Sequence, residues 1–237
     1  MEAIVLAGGM GTRLHSVVSD VPKCMAPVAG NPFLYYLMTT LEKSGFKHVI
    51  LSLGYKHEII ESWLESYETS MSISQVVEDT PLGTGGAVKL ALTKSTQDSV
   101  FVFNGDSHLG LDYEDILKFH IEKKALTTIA LKEMFSFDRY GKVEIDDDAK
   151  ITRFGEKQYC NAGLINGGIY LLNRNVLENF PNKFSLEKDF FEQEADSGKL
   201  TGFQTKGYFI DIGIPEDYLR AQSDFISGIP EKNINYL

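Results

Sequence analysis

Four short runs rich in β-branched and aromatic residues, AIVLA (3–7), HVILSL (48–53), SISQVV (72–77) and SVFVFN (99–104), punctuate the first half of the chain. The stretches between them carry apolar residues at helical spacing. Strand, amphipathic helix and strand again is the pattern of βαβ units, and it commits a chain to a parallel sheet covered by helices. The period of about 25 residues matches that crossover rhythm and no solenoid array. In NPFLYYLMTTLEKSGF (31–46), Asn31 is expected as the N-cap, Pro32 at the first helical position and Gly45 as the stop. KHEIIESWLESY, GGAVKLALTK and DYEDILKFHIEKK supply the remaining crossovers.

From Ala125 the texture changes. TTIALKEM, GKVEID, KITRFGE, INGGIYLL and LTGFQT read as strands with short connections, a final helix is expected to begin near Pro215, and the tail EKNINYL is expected to fray. No low-complexity linker separates the halves. The expectation is one α/β domain over residues 1–237, Rossmann-like and three-layered, with a mixed, mostly parallel sheet. Its halves meet at about residue 124.

A formal net charge of −10 argues against nonspecific nucleic-acid binding, which needs a basic field, yet it leaves room for small anions held by local cations and backbone N–H groups. No apolar stretch reaches the roughly 18 residues of a membrane span. The opening MEAIVLAGG reads as a strand and not as a signal peptide, so no membrane partner and a cytoplasmic location are expected. Cys24 and Cys160 lack metal-ligand spacing and read as reduced structural thiols. His15, His48, His57 and His120 are scattered and read as structural or solvated.

LAGGMGTRL (6–14) places a glycine-rich turn directly after the first strand, where backbone N–H groups at the carboxyl edge of a parallel sheet meet phosphates. A dinucleotide fingerprint needs a third glycine, but Leu14 stands where it would be, and the Walker A pattern is absent. Arg13 carries a permanent charge that binds phosphate bidentately, and Lys23 follows in VPKCMAPVAG. An isolated arginine near a turn is commonly a surface charge; beside three glycines the phosphate reading is the better one. A second glycine cluster, EDTPLGTGGA (78–87), reads equally well as ligand contact or as close packing at a helix N-terminus.

FNGDS ends the fourth strand at the same edge and YFIDIG recurs near the C-terminus. One aspartate after a strand is commonly a cap or turn residue. Two at one place, Asp106 and Asp211, suit Mg²⁺, a hard ion completed by phosphates and water. A glycosyltransferase D-x-D motif would need a carboxylate where His108 stands.

These blocks, LAGGMGTRL, PKCMAPVAGNP, PLGTGGA, FNGDS, FGEK, INGGIYLL and FIDIGIPEDY, resemble in residues and order the sugar-1-phosphate nucleotidyltransferases. The resemblance implies a nucleotide half (about 1–124) and a sugar half (about 125–237). It implies that Leu6, Ala7, Gly8, Gly9, Gly11, Thr12, Arg13, Glu78, Gly83 and Thr84 contact the nucleoside triphosphate, and that Tyr140, Gly141, Glu156, Lys157, Asn166 and Gly168 contact the sugar 1-phosphate. Arg13, Lys23 and Asp106 are then the catalytic set, and Asp106 with Asp211 the Mg²⁺ ligands. Gly167 and Gly168 inside a strand would let the sugar approach the backbone, or mark a bulge. Gln158 departs from the proline common in relatives.

FDRYGKVEID, GLINGGIYLL and GYFIDIGIPEDY resemble most closely the short guanylyltransferases acting on D-glycero-α-D-manno-heptose 1-phosphate in surface-glycan biosynthesis, with mannose 1-phosphate guanylyltransferases as near neighbours. The implied reaction joins the sugar phosphate to the α-phosphorus of the triphosphate and releases pyrophosphate. The rivals are a non-catalytic nucleotide-sugar sensor, disfavoured by the intact cations and carboxylates, and an NAD-dependent oxidoreductase, disfavoured by the missing glycine. The C-terminal helix carries apolar residues that would suit a homo-oligomer interface.

Overall fold

The structure is a computed structural model that describes residues 1–9, 14, 17–18 and 20–228. Arg13, with Gly11, Thr12, His15 and the tail EKNINYL, lies outside the described residues.

The first half alternates as the hydrophobic pattern requires. β1 (Glu2–Leu6) leads to a 3-10 turn (Lys23–Met25), a small hairpin of β2 (Pro27–Val28) and β3 (Asn31–Pro32), and α1 (Phe33–Lys43). β4 (His48–Leu53), α2 (His57–Leu64), β5 (Ser72–Val77), α3 (Gly83–Leu92), β6 (Ser99–Asn104), β7 (Ser107–Leu109) and α4 (Tyr113–Glu122) follow. In the second half come β8 (Thr127–Phe137), β9 (Gly141–Ile145), β10 (Ile151–Lys157) and the 14-residue β11 (Cys160–Asn173). A π-helical segment (Leu186–Phe191), the single turn α5 (Glu192–Glu194), β12 (Leu200–Thr205), β13 (Phe209–Asp211) and α6 (Pro215–Ile226) complete it.

Nine strands form one sheet in the order β10-β9-β11-β6-β1-β4-β5, with β8 joining β11 to β12. All of them except β10 and β11 run in one direction. The sheet is thus continuous across both halves of the chain. Side-chain alternation divides its two faces: Ala3, Val5, Val49, Leu51, Phe101 and Phe103 pack on one side with α1 and α4, while Ile4, Ile50, Val100 and Val102 pack on the other with α3 and the π-helical segment. A third, smaller cluster seats α6 on β2 and β13 through Val28, Ile210, Ile212, Tyr218 and Phe225. Leu219 and Ile226 of α6 stay exposed.

Four strands of the first half lie where the pattern places them, β1 shifted by one residue because Glu2 pairs with His48. The start of α1 is different from the expectation. Pro27 pairs with Pro32 and Val28 with Asn31 across Ala29 and Gly30, whose φ values of 45° and 88° make the tight turn. That hairpin holds Pro32 in extended conformation (ψ 145°), so the helix begins at Phe33 and Asn31 caps nothing. Gly45, at φ 82°, does end it.

Candidate active site

β1 and β6 are parallel neighbours and end at the same edge of the sheet. Beyond β6 the Gly105 N–H donates to the Leu6 carbonyl at 3.0 Å, and a Cβ at Gly105 would stand 2.5 Å from that oxygen. Glycine therefore lets the chain turn over the end of β1 and present Asp106. β7 then pairs antiparallel with β13, setting Asp211 opposite Ser107, and the Ile212 N–H donates to the Asp106 carbonyl at 3.0 Å. Two carboxylates from distant parts of the chain meet at that edge.

Lys23 stands between them. Pro22 leads into the 3-10 turn, and the Cys24 thiol beside Lys23 is buried, donating to the Ala7 carbonyl at 3.7 Å. Burial, and then the charge of Asp106, push that thiol up to about 12, so it is an inert packing group. The Lys23 ammonium is ion-paired with Asp106 Oδ2 and lies 3.3 Å from Asp211 Oδ1. Its side chain is 10% exposed, against 34% for Asp106 and 21% for Asp211. Gly213 closes the cluster: its N–H donates to Asp211 Oδ1 at 2.7 Å, and a Cβ there would come within 3.0 Å of the ammonium.

The charges continue outward in alternation. Arg139 pairs with Asp217 on α6 and reaches to 3.9 Å from Asp211 Oδ2, and Arg220 lies 3.1 Å from Asp217 Oδ1. Burial opposes the Arg139 charge, but the hydrogen bond to Asp217 and the electrostatic pull of Tyr140, Asp217 and Asp211 together outweigh it and hold the guanidinium above its ordinary value. Arg139 also lies 5.3 Å over the Tyr140 ring, which packs on Phe209. Burial and the Asp211 charge raise the Tyr140 hydroxyl, which stays a neutral donor. The cluster thus offers two partly exposed carboxylates with fixed backbone, a nearly buried ammonium paired with both and an arginine at the rim.

A family model described as nucleotidyl transferase matches residues 2–228. The chain belongs to that family. It is 47% identical over 226 residues to a D-glycero-alpha-D-manno-heptose 1-phosphate guanylyltransferase of Aneurinibacillus thermoaerophilus, covering 94% of this chain and 98% of that protein. A protein of the same name from Campylobacter jejuni is 42% identical, covering 92% and 97%. The crystal structure of HddC from Yersinia pseudotuberculosis complexed with GMP-PN superposes with a TM-score of 0.85 at 40% identity, covering 94% of this chain and 99% of that one.

In this nucleotidyltransferase the described part of the first loop runs along the same edge. Leu6 ends β1, the Ala7 N–H donates to the Ser52 carbonyl at 2.9 Å, and Gly8 packs against Gly54, where a Cβ would come to 3.1 Å of the Gly54 nitrogen. Gly9 is exposed, and a Cβ there would meet nothing within 4 Å.

The second glycine cluster shows tight packing. Cβ atoms at Gly83, Gly85 and Gly86 would stand 2.5, 2.2 and 2.2 Å from the Phe184 carbonyl, the Phe184 ring and the Asn182 carbonyl. Thr84 is likewise engaged, donating to Glu187 at 2.6 Å and accepting from the Leu186 N–H at 2.9 Å. Glu78 accepts from the Leu82 N–H at 2.8 Å and shapes the turn before α3.

Of the sugar-block residues, Tyr140 and Gly141 stand next to the charge cluster, and Gly141 pairs with Lys157 at the β9–β10 edge. Glu156 and Lys157 are exposed there. Asn166 and Gly168 form a bulge in β11, where the register slips between Asn166 and Tyr170. Gly168, at φ 76°, donates its N–H to Asn166 Oδ1 at 2.9 Å, and Asn166 Nδ2 donates to the Tyr170 hydroxyl at 3.1 Å. Cβ atoms at Gly167 and Gly168 would strike Leu109 at 2.5 Å and Ser107 at 2.7 Å, so these glycines let the bulge lie on β7, directly behind Asp106.

Arg139, Asp217 and Arg220 are the residues sequence reasoning missed. Their signal was faint: Arg139 and Asp217 are single charges inside the blocks FDRYGKVEID and FIDIGIPEDY, and Arg220 lies two residues beyond the second. Among the described residues no group of three or more His, Cys, Asp or Glu side chains could hold a metal. The pair Asp106 and Asp211, two hard oxygen donors facing one cation, has the chemistry of a Mg²⁺ site that substrate oxygens and water complete.

Among the described residues no helix is long and apolar enough to cross a membrane.

Proposed function

We propose that this chain transfers a guanylyl group from GTP to D-glycero-α-D-manno-heptose 1-phosphate, forming the GDP-heptose and pyrophosphate for surface-glycan biosynthesis. The observation that carries the reading is 47% identity across 94% of the chain to a guanylyltransferase named for that sugar. The cytoplasm, where nucleoside triphosphates are available, is its assigned compartment. Residues 1–124 form the nucleotide half and 125–237 the sugar half, with the reaction centred where Asp211 of the second half meets Asp106 of the first.

The substrate needs little activation. The second pKa of a phosphate monoester is about 6, so the sugar phosphate is mostly dianionic at neutral pH and attacks without a general base. One of its oxygens forms a bond to the α-phosphorus of GTP. The bond from that phosphorus to the oxygen bridging the α- and β-phosphates breaks, and pyrophosphate departs with the electron pair. Catalysis then consists of alignment and charge neutralisation.

Lys23 exchanges its carboxylate partners for phosphate oxygens when the substrates arrive. Arg13 is assigned to the β- and γ-phosphates, where its fork stabilises departing charge. Backbone from Leu6 to Thr12 cradles the triphosphate, with Glu78, Gly83 and Thr84 toward the base. Asp106 and Asp211 are assigned to Mg²⁺, which supplies further neutralisation of phosphate charge when bound. Tyr140, Gly141, Glu156 and Lys157 are assigned to the sugar phosphate, while Asn166 holds the bulge that offers Gly168 backbone to the sugar.

The test is pyrophosphate release by the purified protein with Mg²⁺, pairing GTP, CTP, UTP, dTTP and ATP with heptose, mannose and glucose 1-phosphates. Release with GTP and the heptose phosphate alone is the expected result. Preference for mannose 1-phosphate would replace the sugar, and another triphosphate would replace the base. Arg13→Ala should lower turnover by orders of magnitude with the fold intact; near-normal activity would remove Arg13 from the phosphate site.

A further inference from the structure

At the edge of the sheet opposite Asp106, two clefts adjoin. β6, β8 and β12 run in one direction, so Asp98, Leu126 and Lys199, which precede them, lie at the edge away from Asn104. The first cleft encloses about 350 Å³ and is lined by Lys123, Lys124, Lys150 and Lys199 with Asp148 and Thr201. The second, about 650 Å³, is lined by Arg174, Asn175, Asn179, Phe180 and Phe190 with Asp98 and Glu194. Leu126 and Lys199 belong to both, so they form one continuous groove.

The gathering of lysines is unusual for a chain with ten more acidic than basic side chains. Lys123 and Lys124 follow α4, and the carbonyls at that helix end account for cations there. They do not account for the other two. Lys150 comes from the turn after β9 and Lys199 from the residue just before β12, each directly after a residue in left-handed conformation, Ala149 at φ 63° and Gly198 at φ 70°. Lys124 is itself left-handed at φ 50°. The left-handed turns at Ala149 and Gly198 thus bring Lys150 and Lys199 to the cleft that Lys123 and Lys124 line.

The charges there are left open. Lys199 pairs with Glu194 at 2.7 Å, but the ammonium groups of Lys123, Lys124 and Lys150 have no ion pair among the described residues. Along the groove the four lysines and Arg174 stand against Asp98, Asp148 and Glu194, a surplus of positive charge that favours a multiply charged anion such as a diphosphate. Beyond them, the exposed amides of Asn175 and Asn179 and the half-buried ring of Phe180 suit a neutral, hydrogen-bonding organic group.

We propose that this groove binds a small organic diphosphate of the nucleoside diphosphate class, its phosphates on Lys123, Lys124, Lys150 and Lys199 and its organic part toward Asn175, Asn179 and Phe180. The site is separate from the one at Asp106 and stands independently of the reaction assigned to it.

The test is an amide NMR titration of the full chain with GDP, and separately with inorganic pyrophosphate, in about 0.15 M salt to screen loose ion pairing. GDP is expected to shift the amides of Lys124, Gly198, Lys199 and Asn175 with their own saturation curve, distinct from that of Gly8 and Gly105. The double variant Lys123→Glu, Lys150→Glu should weaken the first response at least tenfold and leave the second unchanged. Lys123→Arg, Lys150→Arg should retain both. Both lysines are exposed, and an unchanged melting curve checks that the variants fold. No saturable shift at the lysine cleft, an undiminished response in the charge-reversed variant, or pyrophosphate binding there as tightly as GDP would overturn the proposal.

Discussion

Asp211 stands opposite Ser107 in the β7–β13 ladder, and this pairing fixes its carboxylate beside that of Asp106. The Ile212 N–H bond to the Asp106 carbonyl at 3.0 Å locks the approach from the backbone side. Two like charges brought together repel, so their proximity depends on a cation between them. Lys23 is that cation, delivered by a turn anchored through Cys24 under the first loop.

Lys23→Met keeps the length of the side chain and removes its charge. Turnover is expected to fall by about 10²–10³, the range for removing one preorganised electrostatic contact, while the far-UV spectrum is unchanged. Arginine at this position should rescue poorly, because its planar fork is larger than an ammonium that lies so near Gly213 that a Cβ there would stand 3.0 Å away. Asp106→Asn with Asp211→Asn should abolish both activity and its dependence on Mg²⁺. A metal titration identical to wild type in that double variant would take both residues out of the metal site.

Arg139 acts through Asp211 and Asp217 and is the outer support of the cluster. Arg139→Gln and Asp217→Asn are each expected to lower kcat by about tenfold, in line with the loss of about 1.4 kcal/mol of positioning. Because the two residues work as a unit, the double variant should lose little more than either single one. Steady-state rates for the four proteins decide it: losses that multiply would mean the residues act independently.

Much of this architecture was legible because the parallel strands carry their own signal. β4 and β6 are buried on both faces and show in the sequence as nearly continuous apolar runs, while the edge strand β5 buries only Val76 and is marked by its β-branched residues. Asp106 and Asp211 were legible as strand-end carboxylates at matching edges. The β7–β13 ladder that joins them was not, since its short strands are specified by long-range pairing and carry little pattern of their own. Asn31 and Pro32 imitated a helix start, but the turn at Ala29 and Gly30 overrode local propensity. Arg139, Asp217 and Arg220 make sense only once α6 lies against the β9 entry.

Gly85 separates packing from ligand contact in the second glycine cluster. A methyl group there would meet the Phe184 ring at 2.2–2.6 Å, and that ring stacks on Phe180 at 5.1 Å. Gly85→Ala is expected to cost about 1–3 kcal/mol, the usual range for overpacking, read as a lower urea midpoint. Adding Phe184→Leu should relieve part of the clash, so the double variant should lose less than the sum of the two changes. Full stability in Gly85→Ala, with a raised KM for the triphosphate, would shift the explanation from packing to ligand contact.

Acid should unfold this protein in two stages with separate origins. His108 is buried among Tyr208 and Phe225, and burial lowers its pKa from 6.5 to about 4. The unfolded chain therefore takes up that proton first, and stability falls as pH drops from about 6.5 toward 4, by at most about 3 kcal/mol. Glu2 behaves differently. Burial alone would raise its carboxyl, but hydrogen bonds from Ser95 at 2.6 Å, Thr96 at 2.8 and 3.0 Å and the His48 ring at 3.2 Å hold it near 2. A depressed carboxyl contributes stability above the unfolded value of 4.5 and loses it as pH falls toward 2, a contribution of about 2–3 kcal/mol. Urea unfolding across pH 2–7 should show both slopes. His108→Phe should remove the upper slope and leave the lower, and Glu2→Gln should do the reverse, with lower stability at neutral pH. An upper slope that persists in His108→Phe would assign it to another group.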